Sequence, residues 1–169
     1  MHLAEAKNLA LDFDCDDDLQ LETDRKRLYQ VVLNVVGNAL KYTEQGAVKV
    51  TAAIKNEMLI IAVEDTGIGI AESDMDDLFK PFERIESRLK VKTLGTGLGL
   101  YLIRKILAQL LSGIIEVQSV FGLVSTFSIK VPLLATAILQ NGASILEEPH
   151  LQSPNKKLDT IKPQKVSLI

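Results

Sequence analysis

A nearly continuous apolar run, Met58 to Val63, passes through Glu64 into a glycine-rich turn, Asp65-Thr66-Gly67-Ile68-Gly69-Ile70. Such a run predicts a central strand, which needs other elements beside it. The neighbouring patterns supply those elements. A partner strand, Ala47 to Ile54, precedes it across a turn near Asn56, and two more, Ile114 to Ser119 and Ser125 to Val131, flank Phe121-Gly122. Asp24 is placed to cap a helix from Arg25 whose stripe is Leu28, Val31, Val32, Val35, Val36, Ala39 and Leu40, closed by Gln45-Gly46. A second glycine-rich turn, Gly95 to Gly99, opens a long amphipathic helix to about Leu111, and a short helical segment is expected around Met75 to Phe79. The start reads as two short strands, carried by Leu9, Leu11 and Phe13 and then by Leu19 and Leu21, around the acidic turn Asp14-Cys15-Asp16-Asp17-Asp18.

Residues 1–133 therefore read as one domain. Past Pro132 the periodicity stops, and three of the five prolines, Pro149, Pro154 and Pro163, lie there. Residues 134–169 read as a linker or tail, with Lys165 to Ile169 resembling the opening strand of a following domain. The balance of 19 Lys and Arg against 22 Asp and Glu gives a net charge of −3, which argues against a nucleic-acid surface. A single cysteine allows neither an internal disulfide nor a thiolate zinc site, and suits a reducing compartment. No apolar stretch approaches the ~20 residues of a membrane helix, and no signal peptide opens the chain.

Four segments carry chemistry. On the first helix, at ~100° per residue, Asn34, Asn38 and Lys41 share a narrow arc with Tyr42 beside it. Asn competes for backbone hydrogen bonds inside a helix, so two of them one turn apart ask for a reason beyond a solvated face. Asp65, at a strand end, is suited to accept a hydrogen bond from the exocyclic amino group of adenine and to repel the carbonyl of guanine, while Gly67 and Gly69 allow close backbone approach. The helix start at Gly95-Thr96-Gly97-Leu98-Gly99-Leu100 offers free N–H groups and a positive dipole end to phosphate, with neither Rossmann nor P-loop spacing. Phe79 and Phe82, around Pro81, suit the pinning of a loop to the core. Each segment alone also has a purely structural reading, as a turn, a solvated face or a packing contact.

Their order is more informative. Asn34-x-x-x-Asn38-Ala39-x-Lys41-Tyr42-Thr43, then the turn at Asp65, then Phe79-x-Pro81-Phe82, then the turn at Gly95, resembles the N box, first glycine box, F box and second glycine box of sensor histidine kinases. The resemblance runs from about Leu9 to Pro132 and includes Asp24-x-x-Arg27-Leu28-x-Gln30. It implies an α/β (α+β) two-layer sandwich, the Bergerat ATP-binding fold, with a mixed sheet covered by helices on one face. It implies ATP and Mg²⁺ as cofactors. Asn38 would ligate the metal with Asn34 beside it, Lys41 and Tyr42 would contact phosphates, and Asp65 would read the adenine amino group. Gly67, Gly69 and Ile70 would surround the base, and Phe79 and Phe82 would anchor a lid of about 83–94. Gly95, Thr96, Gly97, Leu98, Gly99 and Leu100 would hinge the lid and offer amides to phosphate. Arg84 would approach the γ-phosphate, and Thr126 would bring a hydroxyl near the base. Val124 stands where the family has a second glycine, so the last hairpin turn is expected to differ.

The ATP-hydrolysing relatives, such as gyrase-type topoisomerases, carry a Glu general base where this chain has Asn34. The resemblance thus implies donation of the γ-phosphoryl group to a histidine on a separate dimerisation domain, with Asn34, Lys41 and Arg84 assisting, and no self-phosphorylation by this chain alone. His2 and His150 lack the acidic neighbour of such acceptors. The implied partners are an upstream dimerisation and phosphoacceptor domain and a downstream response-regulator receiver domain. A monomer on the cytoplasmic side, without nucleic-acid or membrane contact of its own, is expected, with any membrane anchor belonging to the parent protein. An ATP-binding sensing module without transfer, or an ATPase of the same fold, are the alternatives.

Overall fold

The computed structural model describes residues 2–16, 19–82, 97–133 and 165–167. Its elements are α1 (His2–Lys7), β1 (Ala10–Cys15), β2 (Gln20–Glu22), α2 (Arg25–Tyr42), β3 (Ala47–Lys55), β4 (Met58–Asp65), a 3-10 turn (Glu72–Asp74), α3 (Gly99–Leu110), β5 (Ile114–Val120), β6 (Val124–Pro132) and β7 (Lys165–Ser167). Five strands form one sheet in the order β1-β3-β4-β6-β5. The apolar β4 occupies its centre, as its composition requires. The β1–β3 pair is parallel and the other three pairs are antiparallel, so the sheet is mixed. The β3–β4 hairpin turns through Asn56 and Glu57, both at positive φ, which matches the twist of the flanking strands.

Register organises one face of the sheet into rows. Val50, Val63 and Phe127 lie side by side, as do Ala52, Ile61 and Ile129, and all six are buried. Onto them α2 lays Leu28, Val31, Val35 and Ala39, and α3 lays Ile103 and Leu107. Each fully buried aliphatic side chain of this kind contributes about 1.5–3 kcal/mol over leaving it in water. The last row differs. Val48, Asp65, Ser125 and Ser119 line up across β3, β4, β6 and β5, so the core ends in one carboxyl and two hydroxyls.

Asp24 caps α2 as expected, accepting the Arg27 N–H at 3.1 Å. At the other end the sequence patterns did not anticipate α1, whose Lys7 ammonium donates to the carbonyls of Leu40, Lys41 and Thr43, each at 2.9 Å. Helix ends leave carbonyls without partners, and a cation there also meets the negative end of the dipole. Thr43 completes the cap through its own N–H and hydroxyl to the Ala39 carbonyl. The helical segment expected at Met75 to Phe79 is instead the 3-10 turn followed by i to i+3 turns, through Asp77 to Asp74 and Leu78 to Met75. Only Leu78 is buried there, too little apolar surface to hold an α-helix. The two N-terminal strands exist but do not pair with each other; β1 adds to β3, and β2 pairs antiparallel with β7. Residues Lys165–Ser167 thus return to this chain's own β2.

Candidate functional site

The polar arc of α2 faces the start of α3. The Asn34 Nδ2 donates to the Gln30 carbonyl at 2.8 Å, which leaves its Oδ1 as the group turned outward. That oxygen lies 3.8 Å from where a side chain on Gly99 would begin. Leu98 occupies the N-cap of α3 without any side-chain cap, so the first N–H groups of this helix are not claimed by a capping residue. Asn38 and Lys41 are half-buried one and two turns further along α2. The Lys41 ammonium sits 5.0 Å above the Tyr42 ring, and the Tyr42 carbonyl accepts the Ile68 N–H at 3.4 Å.

Asp65 ends β4 at 3% exposure. Burial pushes its carboxyl from the ordinary 3.8 up to about 6, opposed by the Gly67 N–H and reinforced by the charge of Glu64. Gly67 donates to Asp65 Oδ1 at 2.9 Å, and a Cβ on Gly67 would meet that oxygen and the Tyr42 carbonyl at 2.6 Å each. At Gly69, φ is +63° and a Cβ would lie 2.2 Å from the Val120 carbonyl. Both glycines are therefore demanded by protein neighbours, one on α2 and one on the β5–β6 hairpin. Thr66 adds a further tie, its hydroxyl accepting the Ala47 N–H at 3.0 Å. Ile70 and Leu100 pack against the core.

Two expected roles change. Thr126 pairs with Glu64, whereas Ser125 pairs with Asp65. Strand side chains alternate between faces, so Thr126 lies on the opposite side of the sheet and the hydroxyl beside Asp65 is that of Ser125, 4% exposed. β6 begins at Val124, and the turn before it is made by Gly122 at φ +82°. Phe79 and Phe82 were expected to act alike. Phe79 is packed against the core with the Arg104 guanidinium 5.7 Å from its ring, but the Phe82 ring is 74% exposed. Phe82 contributes through its backbone, its N–H donating to the Gly97 carbonyl at 3.2 Å. Arg84, Gly95, Thr96, the expected lid of about 83–94, and His150 lie outside the described residues.

The structure adds Lys7, Thr66, Ser119 and Ser125 to the residues that build this region. Only Thr66 and Ser125 carried a local signal, as neighbours of motif residues; Lys7 and Ser119 act across long sequence separations.

Residues 23–135 match the family model described as Histidine kinase-, DNA gyrase B-, and HSP90-like ATPase. The chain belongs to this family. Within it, the similarity is to histidine kinases. The chain is 42% identical over 118 residues to histidine protein kinase DivJ of Caulobacter vibrioides, a match covering 69% of this chain and 19% of that protein. Among solved structures it resembles the catalytic domain of histidine kinase ThkA, with a TM-score of 0.67 and 30% identity over 78% of this chain and 85% of that one. It also resembles full-length ShkA in complex with AMPPNP, with a TM-score of 0.68 and 28% identity over 78% of this chain and 27% of that chain. The five-stranded mixed sheet with its helices is thus the ATP-binding domain fold of histidine kinases. The chain spans less than a fifth of the length of the curated relatives it matches. No helix among the described residues is long and apolar enough to cross a membrane.

Proposed function

We propose that this chain binds Mg-ATP and donates the γ-phosphoryl group to a histidine on a separate helical domain. The observation that carries the reading is Asn34. Its carboxamide faces the uncapped start of α3, where ATP-hydrolysing relatives present a carboxylate, and its Nδ2 is committed to the Gln30 carbonyl. An amide cannot take a proton from water, so the site suits transfer to a nucleophile brought from outside. That nucleophile, an unprotonated imidazole nitrogen, would form the new N–P bond as the bond to the β–γ bridging oxygen breaks. ADP then leaves with the electron pair.

Base recognition falls to the polar end of the sheet. Above about pH 6 the Asp65 carboxylate is an acceptor, with Ser125 beside it, and both suit the amino group of adenine. Lys41, Tyr42 and the amides at Gly97, Leu98 and Gly99 would meet the phosphates. The donor set also fits a hard cation that arrives with nucleotide. By the family resemblance, the carboxamide oxygens of Asn38 and Asn34 on α2 would be its protein ligands, oxygen donors that suit such a cation. A Mg²⁺ ion held there would supply charge neutralisation to the phosphate oxygens. The acceptor domain, a receiver domain and a cytoplasmic site of action belong to the longer protein in this reading.

The test is incubation of the purified chain with Mg-ATP, with bound nucleotide and free ADP followed over time in one chromatogram. Retained ATP with almost no ADP, and phosphohistidine formed only when a dimerisation domain from the parent protein is added, is the expected result. Steady ADP release that Asp65→Asn abolishes would identify a hydrolase and overturn the role given to Asn34.

A further inference from the structure

The row that ends the core contains a hydroxyl with no assigned task. Ser119, on β5, stands next to Ser125, which stands next to Asp65. Its Oγ lies 2.7 Å from the Val124 carbonyl, 2.8 Å from the Ile70 N–H and 3.1 Å from Ser125 Oγ. A hydroxyl has one proton and two acceptor lone pairs, and these three partners use all of them. The Val124 carbonyl can only accept, so it takes the Ser119 proton. The Ile70 N–H can only donate. Ser125 must then donate its own proton to Ser119, and its remaining lone pairs are what it can offer to the Asp65 side.

We propose that Ser119 is a positioning residue that sets base specificity: by holding the Ser125 proton away from the pocket, it makes Ser125 an acceptor alongside the Asp65 carboxylate. This rests on the nucleotide reading above. A pocket whose polar side chains can only accept favours a 6-amino purine and opposes a 6-oxo purine, because the carbonyl of the latter meets two acceptors. The same Ser119 oxygen anchors Ile70, and two neighbouring contacts fasten the loop to the hairpin. The Gly122 N–H donates to the Ile68 carbonyl at 2.7 Å, and Gly69 lies directly against the Val120 carbonyl. Losing the Ser119 hydroxyl therefore leaves the loop attached and changes chiefly which way Ser125 points its proton. In Ser119→Ala the Ser125 hydroxyl is free to rotate and donate toward the base.

The experiment titrates the full chain with Mg-ATP and with Mg-ITP, which carries a carbonyl in place of the 6-amino group, and compares the ratio of dissociation constants. Wild type should prefer ATP by roughly 10–100-fold, the discrimination expected of a mispaired buried polar contact. Ser119→Ala should weaken ATP binding by about 3–10-fold and weaken ITP binding less or not at all, so the ratio falls by up to about 3–10-fold. Ser119→Thr, which keeps the hydroxyl, should restore it. Ser125→Ala leaves the Ile70 anchor in place and should also reduce the ratio, which carries the test if Ser119→Ala does not fold. Equal weakening of both nucleotides in Ser119→Ala, an unchanged ratio, or full discrimination in Ser125→Ala would overturn the inference. Absence of ATP binding by wild type would instead overturn the nucleotide reading beneath it.

Discussion

Asp65→Asn should make the protein more stable while weakening its binding of adenine nucleotide. The folded carboxyl titrates at about 6 and the unfolded one at 3.8, so the folded state holds the proton more tightly. Stability is therefore lost as pH rises through that window, and above it the native state carries the whole cost of a buried charge. The gap corresponds to about 3 kcal/mol at pH 7.5, and to roughly half of that at pH 5. Asparagine keeps an oxygen to accept the Gly67 N–H and carries no charge, so the variant escapes most of this cost. With a urea slope of about 1–3 kcal/mol per molar, the unfolding midpoint should rise by roughly 1–3 M at pH 7.5. At pH 5 the gain should shrink to about half. Urea titrations followed by circular dichroism at the two pH values, with nucleotide binding measured on the same samples, make the check. ATP affinity should fall by roughly 10–100-fold, as expected for loss of a charge-assisted hydrogen bond. A midpoint equal to or below wild type at pH 7.5, or a gain that ignores pH, would refute the reasoning.

Three further outcomes follow from contacts described above. Lys7→Met should cost about 1–3 kcal/mol in thermal or urea unfolding, since three carbonyls at the end of α2 lose their donor. Gly69→Ala should weaken ATP binding by more than about 10-fold in titration calorimetry and lower stability by about 1–3 kcal/mol. Its Cβ would have to displace the Val120 backbone from a left-handed position that L-residues resist. Asn38→Ala should abolish the difference between ATP affinities measured with Mg²⁺ and with EDTA, while leaving the unfolding free energy within about 0.5 kcal/mol of wild type.

Periodicity was a good guide wherever one element buries one face. The stripe from Leu28 to Leu40 located α2, and the run from Met58 to Val63 located the central strand. It failed where the decisive partner is remote. Residues 2–7 are too short to show a helical period, and α1 is recognisable only by what Lys7 does more than thirty residues away. The segment after Ala71 has helical composition but a single buried anchor, Leu78, and settles for 3-10 turns. In the site, motif order brought Asn34, Asn38, Lys41, Asp65 and the glycines to notice. It could not say which face of β6 meets Asp65. A shift of one residue exchanges Ser125 for Thr126, and only the register of β4 against β6 decides between them. Phe79 and Phe82 look equivalent in the sequence, yet backbone geometry turns one ring inward and the other out.

The hydrogen bond between the Phe82 N–H and the Gly97 carbonyl has a consequence for how the domain can be altered. It ties Phe82 to Gly97, the two ends of the described fold on either side of residues 83–96. The entropic cost of a longer insert then grows only logarithmically, about 0.6 kcal/mol for each doubling of length. Sequence inserted between those two positions should therefore cost the fold little, which urea unfolding of an insertion variant would check.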